Sequence, residues 1–172
     1  MKRFAIILIW IAVVVADGVL LPAISGMPSG FGALVFLSAL IITFHVHRWV
    51  IGLGIFISLA TELWVGAYFG TIIGSYLIMV IVWYLLNKFL NMRSASENGS
   101  MLAIIPFTFL GIILFGVGEV FLWLVNRYVY IRDLSMATLI KLIISPEILA
   151  IVTIELIVIF LVFNFIYSSQ ND

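Results

Sequence analysis

Four carboxylates lie inside or beside long apolar stretches of this sequence: Asp17, Glu62, Glu119 and Glu155. Ionisable groups in such surroundings usually face a bundle interior or a wet cavity, and each is a candidate functional group. Neither Lys nor Arg sits deep enough in a stretch to be an obvious partner. Each acid must therefore stay protonated, reach water near an interface, or meet a partner. A catalytic carboxylate pair sharing a proton needs two acids in fixed polar contexts, and Asp17 is the lone Asp within an apolar stretch. Holding Mg²⁺ for phosphoryl transfer would need clustered acids, which the spacing does not provide. The Gly-x-Ser-x-Gly elbow of serine hydrolases does not occur. His45 and His47 flank Val46, and a spacing of two puts them on different faces of a helix. With Arg48 they mark the end of an apolar segment. The expectation is a protein without catalytic residues, metal or cofactor.

The elements that carry these acids follow from composition. The chain of 172 residues is 65% hydrophobic and 9% charged, with a mean hydropathy of +1.34. A soluble domain carries about 25% charged residues, so the solvent of this surface is lipid. Cysteine is absent, which excludes disulfides, Cys-ligated zinc and iron–sulfur sites. A spanning helix needs about 20 apolar residues. Six candidates run over 4–24, 29–44, 49–68, 70–90, 101–125 and 146–167. Backbone groups in lipid must be satisfied within the segment, so the expected fold is an all-α, six-helix transmembrane bundle forming one polytopic domain. The polar linkers are Asn91 to Ser100 and Asn126 to Ser135. After the second, Leu139, Ile140, Ile143 and Ile144 would share one face of a short interfacial helix; a plain loop is the alternative. The connection Pro22, Gly26, Pro28, Gly30 and Gly32 reads as a tight turn between helices.

Met1-Lys2-Arg3 followed by an apolar run resembles a signal peptide. Apolar residues resume at Val19-Leu20-Leu21, so the run is expected to span rather than to be cleaved. With the N-terminus inside, Lys2, Arg3, Arg48, Lys88 and Arg93 are cytoplasmic, and Arg127, Arg132 and Lys141 are outside. This bias follows the positive-inside rule and puts both termini in the cytoplasm. Trp49, Trp64 and Trp123 fall near predicted ends, as in an aromatic belt. Trp10 and Trp83 are expected to face lipid or to pack.

The third segment holds a ladder of small residues four apart, interrupted by an acid: Gly54, Ser58, Glu62, Gly66, Gly70 and Gly74. Small residues at this spacing let helices approach closely in lipid. Gly54, Ser58 and Glu62 drift slowly around one face, so Glu62 should meet a neighbouring helix or a crevice. Gly66 and Gly70 should lie at the helix end and the following turn.

The stretch from His47 to Gly70, "HRWVIGLGIFISLATELWVGAYFG", resembles the most recognisable segment of the MreD family of rod-shape-determining membrane proteins. The shared features are basic Arg48, the pair Gly52 and Gly54, the acid Glu62 followed by Leu63, then Gly66 and Gly70. The family commonly has Asp where this chain has Glu62, and often Gly where Ser58 stands. The resemblance implies a non-catalytic protein of the bacterial inner membrane that takes part in cell elongation and peptidoglycan synthesis and helps regulate cell shape. It implies an MreC-like bitopic partner and, through it, links to MreB and to RodA with its transpeptidase. It also implies a fold similar to the six-helix substrate-binding subunits of energy-coupling-factor vitamin transporters. Those subunits dock a coupling protein through an Ala-x-x-x-Ala stripe, which Ala12 to Ala16 matches. A vitamin-binding transporter subunit is therefore the alternative function.

Overall fold

The computed structural model of the chain describes residues 2–15, 31–90, 103–130 and 135–168. These residues form seven helices: α1 (Lys2–Val15), α2 (Phe31–Phe44), α3 (Arg48–Val65), α4 (Thr71–Leu90), α5 (Ile104–Tyr128), α6 (Met136–Ile144) and α7 (Pro146–Ser168). Four of them, α3, α4, α5 and α7, contain stretches long and apolar enough to cross a membrane: Arg48–Val65, Thr71–Phe89, Ile104–Tyr128 and Pro146–Phe165. The architecture is all-helical and compatible with a multi-pass membrane protein. Asp17, the end of the first predicted segment, the Pro22–Gly30 connection and the Asn91–Ser100 linker lie outside the described residues.

The centre of the molecule is α2. Its sequence, FGALVFLSALIITF, offers no polar face, and a helix apolar all round belongs inside a bundle. Every residue from Phe31 to Ile42 is buried, and Phe44 with them. Helices α1, α3, α4, α5 and α7 all pack against it. At 14 residues it is about 21 Å long, short of the roughly 30 Å hydrocarbon core. Sheathed by other helices, it has no need to match the thickness of lipid. Ser38 resolves its one buried side-chain polar group locally, donating to the Val35 carbonyl at 2.7 Å.

The surrounding helices bury one face and turn the other outward. On α4 the outward residues include Leu77, Ile81, Tyr84 and Leu85; on α5 they include Ile105, Phe109 and Ile113; on α7, Ile154, Val158, Leu161 and Phe165. These recur at helical spacing and are all large and apolar or aromatic, the surface expected where lipid replaces water. Glycines on the inward faces receive large side chains from neighbouring helices. The Met79 sulfur of α4 sits where a Cβ on Gly118 of α5 would be 3.1 Å away, and Leu156 of α7 fills the space beside Gly111 of α5.

Several boundaries differ from those read in the sequence. Helix α3 ends at Val65 rather than near 68, because Gly66 takes a left-handed conformation (φ 67°, ψ 29°). Helix α5 continues past Val125 to Tyr128, where the Asn126 amide donates back to the Leu122 carbonyl at 2.9 Å. The stretch after Ser135 is helical, α6, and packs on α5 and α7. Its apolar residues divide: Leu139 is buried, whereas Ile140 and Ile144 are exposed. At α7, Pro146 occupies the first helical position, where its missing N–H is no loss, and Ser145 accepts from the Leu149 N–H at 3.0 Å. Trp123, expected in an aromatic belt, is instead packed and only 8% exposed, while Trp64 is exposed.

Candidate functional site

The acid of the small-residue ladder is the organising group of the α3–α4 hairpin. Glu62 lies in the last turn of α3 and is 2% exposed. Its side chain reaches across the turn to the start of α4. Oε2 accepts from the Gly70 N–H at 2.9 Å. Oε1 accepts from the N–H groups of Ile72 at 2.6 Å and Ile73 at 3.0 Å. A helix leaves its first N–H groups without intrahelical partners. Here the Thr71 N–H goes to the Tyr68 carbonyl at 3.2 Å, and Glu62 takes the Gly70, Ile72 and Ile73 groups. The N-terminus of α4 is thus fully capped, by a side chain from the preceding helix rather than by its own N-cap residue, Gly70. A carboxylate also meets the positive end of the helix dipole there.

The two glycines make this reach possible. Gly66 and Gly70 have φ of +67° and +87°, a region that favours glycine. The backbone carbonyl of Glu62 accepts the Gly66 N–H, which closes α3, and the Ala67 N–H at 3.0 Å. One residue therefore ends one helix with its main chain and starts the next with its side chain. The Glu-Leu-x-x-Gly-x-x-x-Gly spacing reads as the geometry of this turn.

Further along the ladder, Gly54 serves close approach. A Cβ there would stand 2.5 Å from Tyr76 Cε1 and closer still to the ring's Cζ and hydroxyl. The fully buried Tyr76 of α4 uses the notch to donate its hydroxyl to the Val50 carbonyl of α3 at 2.8 Å. Ser58, next on the ladder, donates to the Gly54 carbonyl at 2.7 Å, and Thr61 to the Ile57 carbonyl at 2.8 Å. On α4, Ser75 donates to the Thr71 carbonyl at 2.9 Å. These hydroxyls are buried and satisfied by their own helices, a local pattern that suits an apolar solvent. Gly74 lies on the other side of α4, against the Phe121 ring of α5.

The turn is also held from outside. Tyr130, beyond the end of α5, donates its hydroxyl to the Phe69 carbonyl at 2.9 Å. Its ring stacks on Tyr68, with centroids 4.0 Å apart and planes 10° apart. The hairpin turn is thereby clamped between a buried carboxylate and a surface tyrosine.

Arg48 is exposed at the start of α3. Gly52 faces open space, and Leu63 points outward at 74% exposure. Glu119 is buried on α5, and Glu155 is half-buried on α7. His45 and His47 form the turn between α2 and α3. His45 has a left-handed φ of 54° and its ring lies parallel to that of Trp83, centroids 6.3 Å apart. The His47 carbonyl accepts from Val50 and Ile51 at the start of α3. Among the described residues, no three His, Asp or Glu side chains gather as a metal site.

Tyr76 and Tyr130 were not apparent as structural residues in the sequence. The available signal for Tyr76 was a phenol in mid-segment, since a buried hydroxyl must find a partner. Tyr130 carried no such signal. No family model, curated protein or solved structure matches this chain.

Proposed function

We propose that this chain is a non-catalytic membrane scaffold of the MreD type, acting in the cell-elongation machinery of a bacterial inner membrane. The observation that supports this most is the use made of Glu62. The residues that carry the resemblance, Glu62, Gly66 and Gly70, are engaged in shaping a helical hairpin. Three backbone donors occupy the acid, and it is sealed from solvent. Such a motif suits a protein whose product is a shape for others to bind.

In this reading the chain forms six transmembrane segments, α2 among them, in a fold like that of the vitamin-binding transporter subunits, with both termini cytoplasmic. The partner is an MreC-like bitopic protein, which connects the chain to MreB and to RodA and its transpeptidase. The test is depletion in the native rod-shaped cell, combined with in vivo crosslinking to the MreC-like candidate. Rounding of the cells and a specific crosslink are expected. Normal rods after complete depletion in a strain without a paralogue would refute the proposal.

A further inference from the structure

The sequence of α6 suits the surface of a membrane, but its neighbours place it deeper. Helices α4 and α5 pack antiparallel: Gly74 meets the Phe121 ring, and Met79 meets Gly118. This register brings the middle of α4 (Thr71–Leu90), near Val80, level with Gly116. Gly116 is also the middle residue of α5 (Ile104–Tyr128), twelve residues from each end. The two helices therefore share a centre. Twelve residues of helix cover about 18 Å, more than the roughly 15 Å of hydrocarbon in one leaflet. Gly116 thus marks the middle of a bilayer that α4 and α5 cross. Ile143, in the last turn of α6, has its Cγ2 only 3.9 Å from where a Cβ on Gly116 would stand.

The start of α7 gives a similar depth independently. Leu156 of α7 fills the space beside Gly111 of α5, and the Phe160 and Phe107 rings meet with centroids 4.9 Å apart. Four residues up α5 thus match four residues back along α7. Continued at this register, Pro146 comes level with Phe121, about 10 Å below the Tyr128 end of α5. The break between α6 and α7 therefore lies within the span of α5. Pro146 accounts for the break, because its ring cannot continue α6 through Ser145. Met136, Ile140 and Ile144 are exposed on α6, and a spacing of four puts them along one side of the helix. Charges of both signs enter at this level: Lys141 on α6, Glu147 in the first turn of α7 and Glu119 on α5. Glu147 also meets the positive end of the α7 dipole.

We propose that α6 is a re-entrant helix, embedded in one leaflet, with Met136, Ile140 and Ile144 in contact with lipid acyl chains. Helices α6 and α7 then form one broken membrane element rather than a surface helix followed by a span. Depth selects the occupant, since an outward side chain near the level of Gly116 meets acyl chains. The inference rests on α4 and α5 crossing a membrane and not on the scaffold role.

The chain contains no cysteine, so single-cysteine variants of the full-length protein can each carry one fluorophore in vesicles of phosphatidylcholine and phosphatidylglycerol. Lipids bearing a nitroxide near the headgroup or near the chain end then report its depth. Ile81→Cys, exposed at the middle of α4, is the deep reference, and Phe69→Cys, exposed in the α3–α4 turn, is the shallow one. Ile144→Cys should read about 10 Å deeper than Phe69→Cys. Ile140→Cys, a second probe on the stripe, should also read deeper than Phe69→Cys. Both α6 probes at the depth of Phe69→Cys would place the helix on the surface and overturn the proposal. Quenching at Ile81→Cys, with none from either lipid at Ile144→Cys, would mean that a second copy of the chain covers the stripe, and would reject the lipid contact. An Ile81→Cys probe as shallow as Phe69→Cys would show that α4 does not cross, and would reject the proposal with the membrane reading beneath it.

Discussion

Replacing Glu62 with Gln separates the carboxylate's charge from its shape. The amide oxygen can take the place of Oε1 and keep the Ile72 and Ile73 N–H groups, now 2.6 and 3.0 Å from the carboxylate. The amide nitrogen then faces the Gly70 N–H, so a bond of 2.9 Å becomes a donor–donor contact. Hydrogen bonds to a charged group contribute about 1.5–3 kcal/mol each, and the charge–dipole interaction about 0.3–2 kcal/mol. These terms overlap, so Glu62→Gln should destabilise the start of α4 by roughly 2–3 kcal/mol. Glu62→Ala leaves three donors without acceptors and should cost more, about 3–5 kcal/mol. Hydrogen–deuterium exchange of the protein in detergent or nanodiscs reads this directly. A 2–3 kcal/mol loss corresponds to roughly 30–150-fold less protection at the amides of Gly70, Ile72 and Ile73. Amides of α7, remote from the turn, should change far less. Native protection at all three amides in a folded Glu62→Ala protein would refute the capping argument. Protection in Glu62→Gln equal to that of the unmodified chain would refute the part assigned to charge.

Other substitutions test the rest of the hairpin. Gly54→Ala should expel the Tyr76 ring from its notch and lower stability in a reversible unfolding assay by about 1–3 kcal/mol, whereas Gly118→Ala should be nearly neutral, because the flexible Met79 side chain can yield. Gly66→Ala should cost about 1–2 kcal/mol from its left-handed backbone alone, since no neighbour lies within 4 Å; Gly66→Asn should cost less in the same assay. Tyr130→Phe keeps the stack on Tyr68 and loses the bond to Phe69, so thermal unfolding should show a loss of about 0.5–1.5 kcal/mol.

Much of the architecture was legible because lipid and the helix impose strong patterns. The apolar runs gave helices close to those observed, and the ladder placed Gly54, Ser58 and Glu62 toward neighbours, where all three are buried. The central position of α2 was less accessible. Its short, uniformly apolar sequence fits either lipid or protein surroundings, and only the packing of five other helices distinguishes them. The target of Glu62 was out of reach for a different reason. Its three donors are backbone groups, which every sequence supplies, so residue types cannot reveal that they converge. The same holds for Tyr76 and Tyr130, whose acceptors are the Val50 and Phe69 carbonyls.

That all of Glu62's partners are backbone groups close in sequence bears on how a membrane tolerates the acid. An acid at the centre of a lone spanning helix is unfavourable by about 2.5–3.5 kcal/mol. Glu62 is not at a centre: it occupies the last turn of α3, where the penalty is smaller. Its compensation also arrives early. The three N–H groups belong to residues 8, 10 and 11 positions downstream, so the first turn of α4 suffices to supply them. A salt bridge to a distant helix would leave the acid uncompensated until the bundle assembled. Here α3, its turn and the start of α4 complete one another. The α3–α4 hairpin is therefore the smallest unit in which this acid is stable in lipid, and it can form before α5 and α7 enclose it.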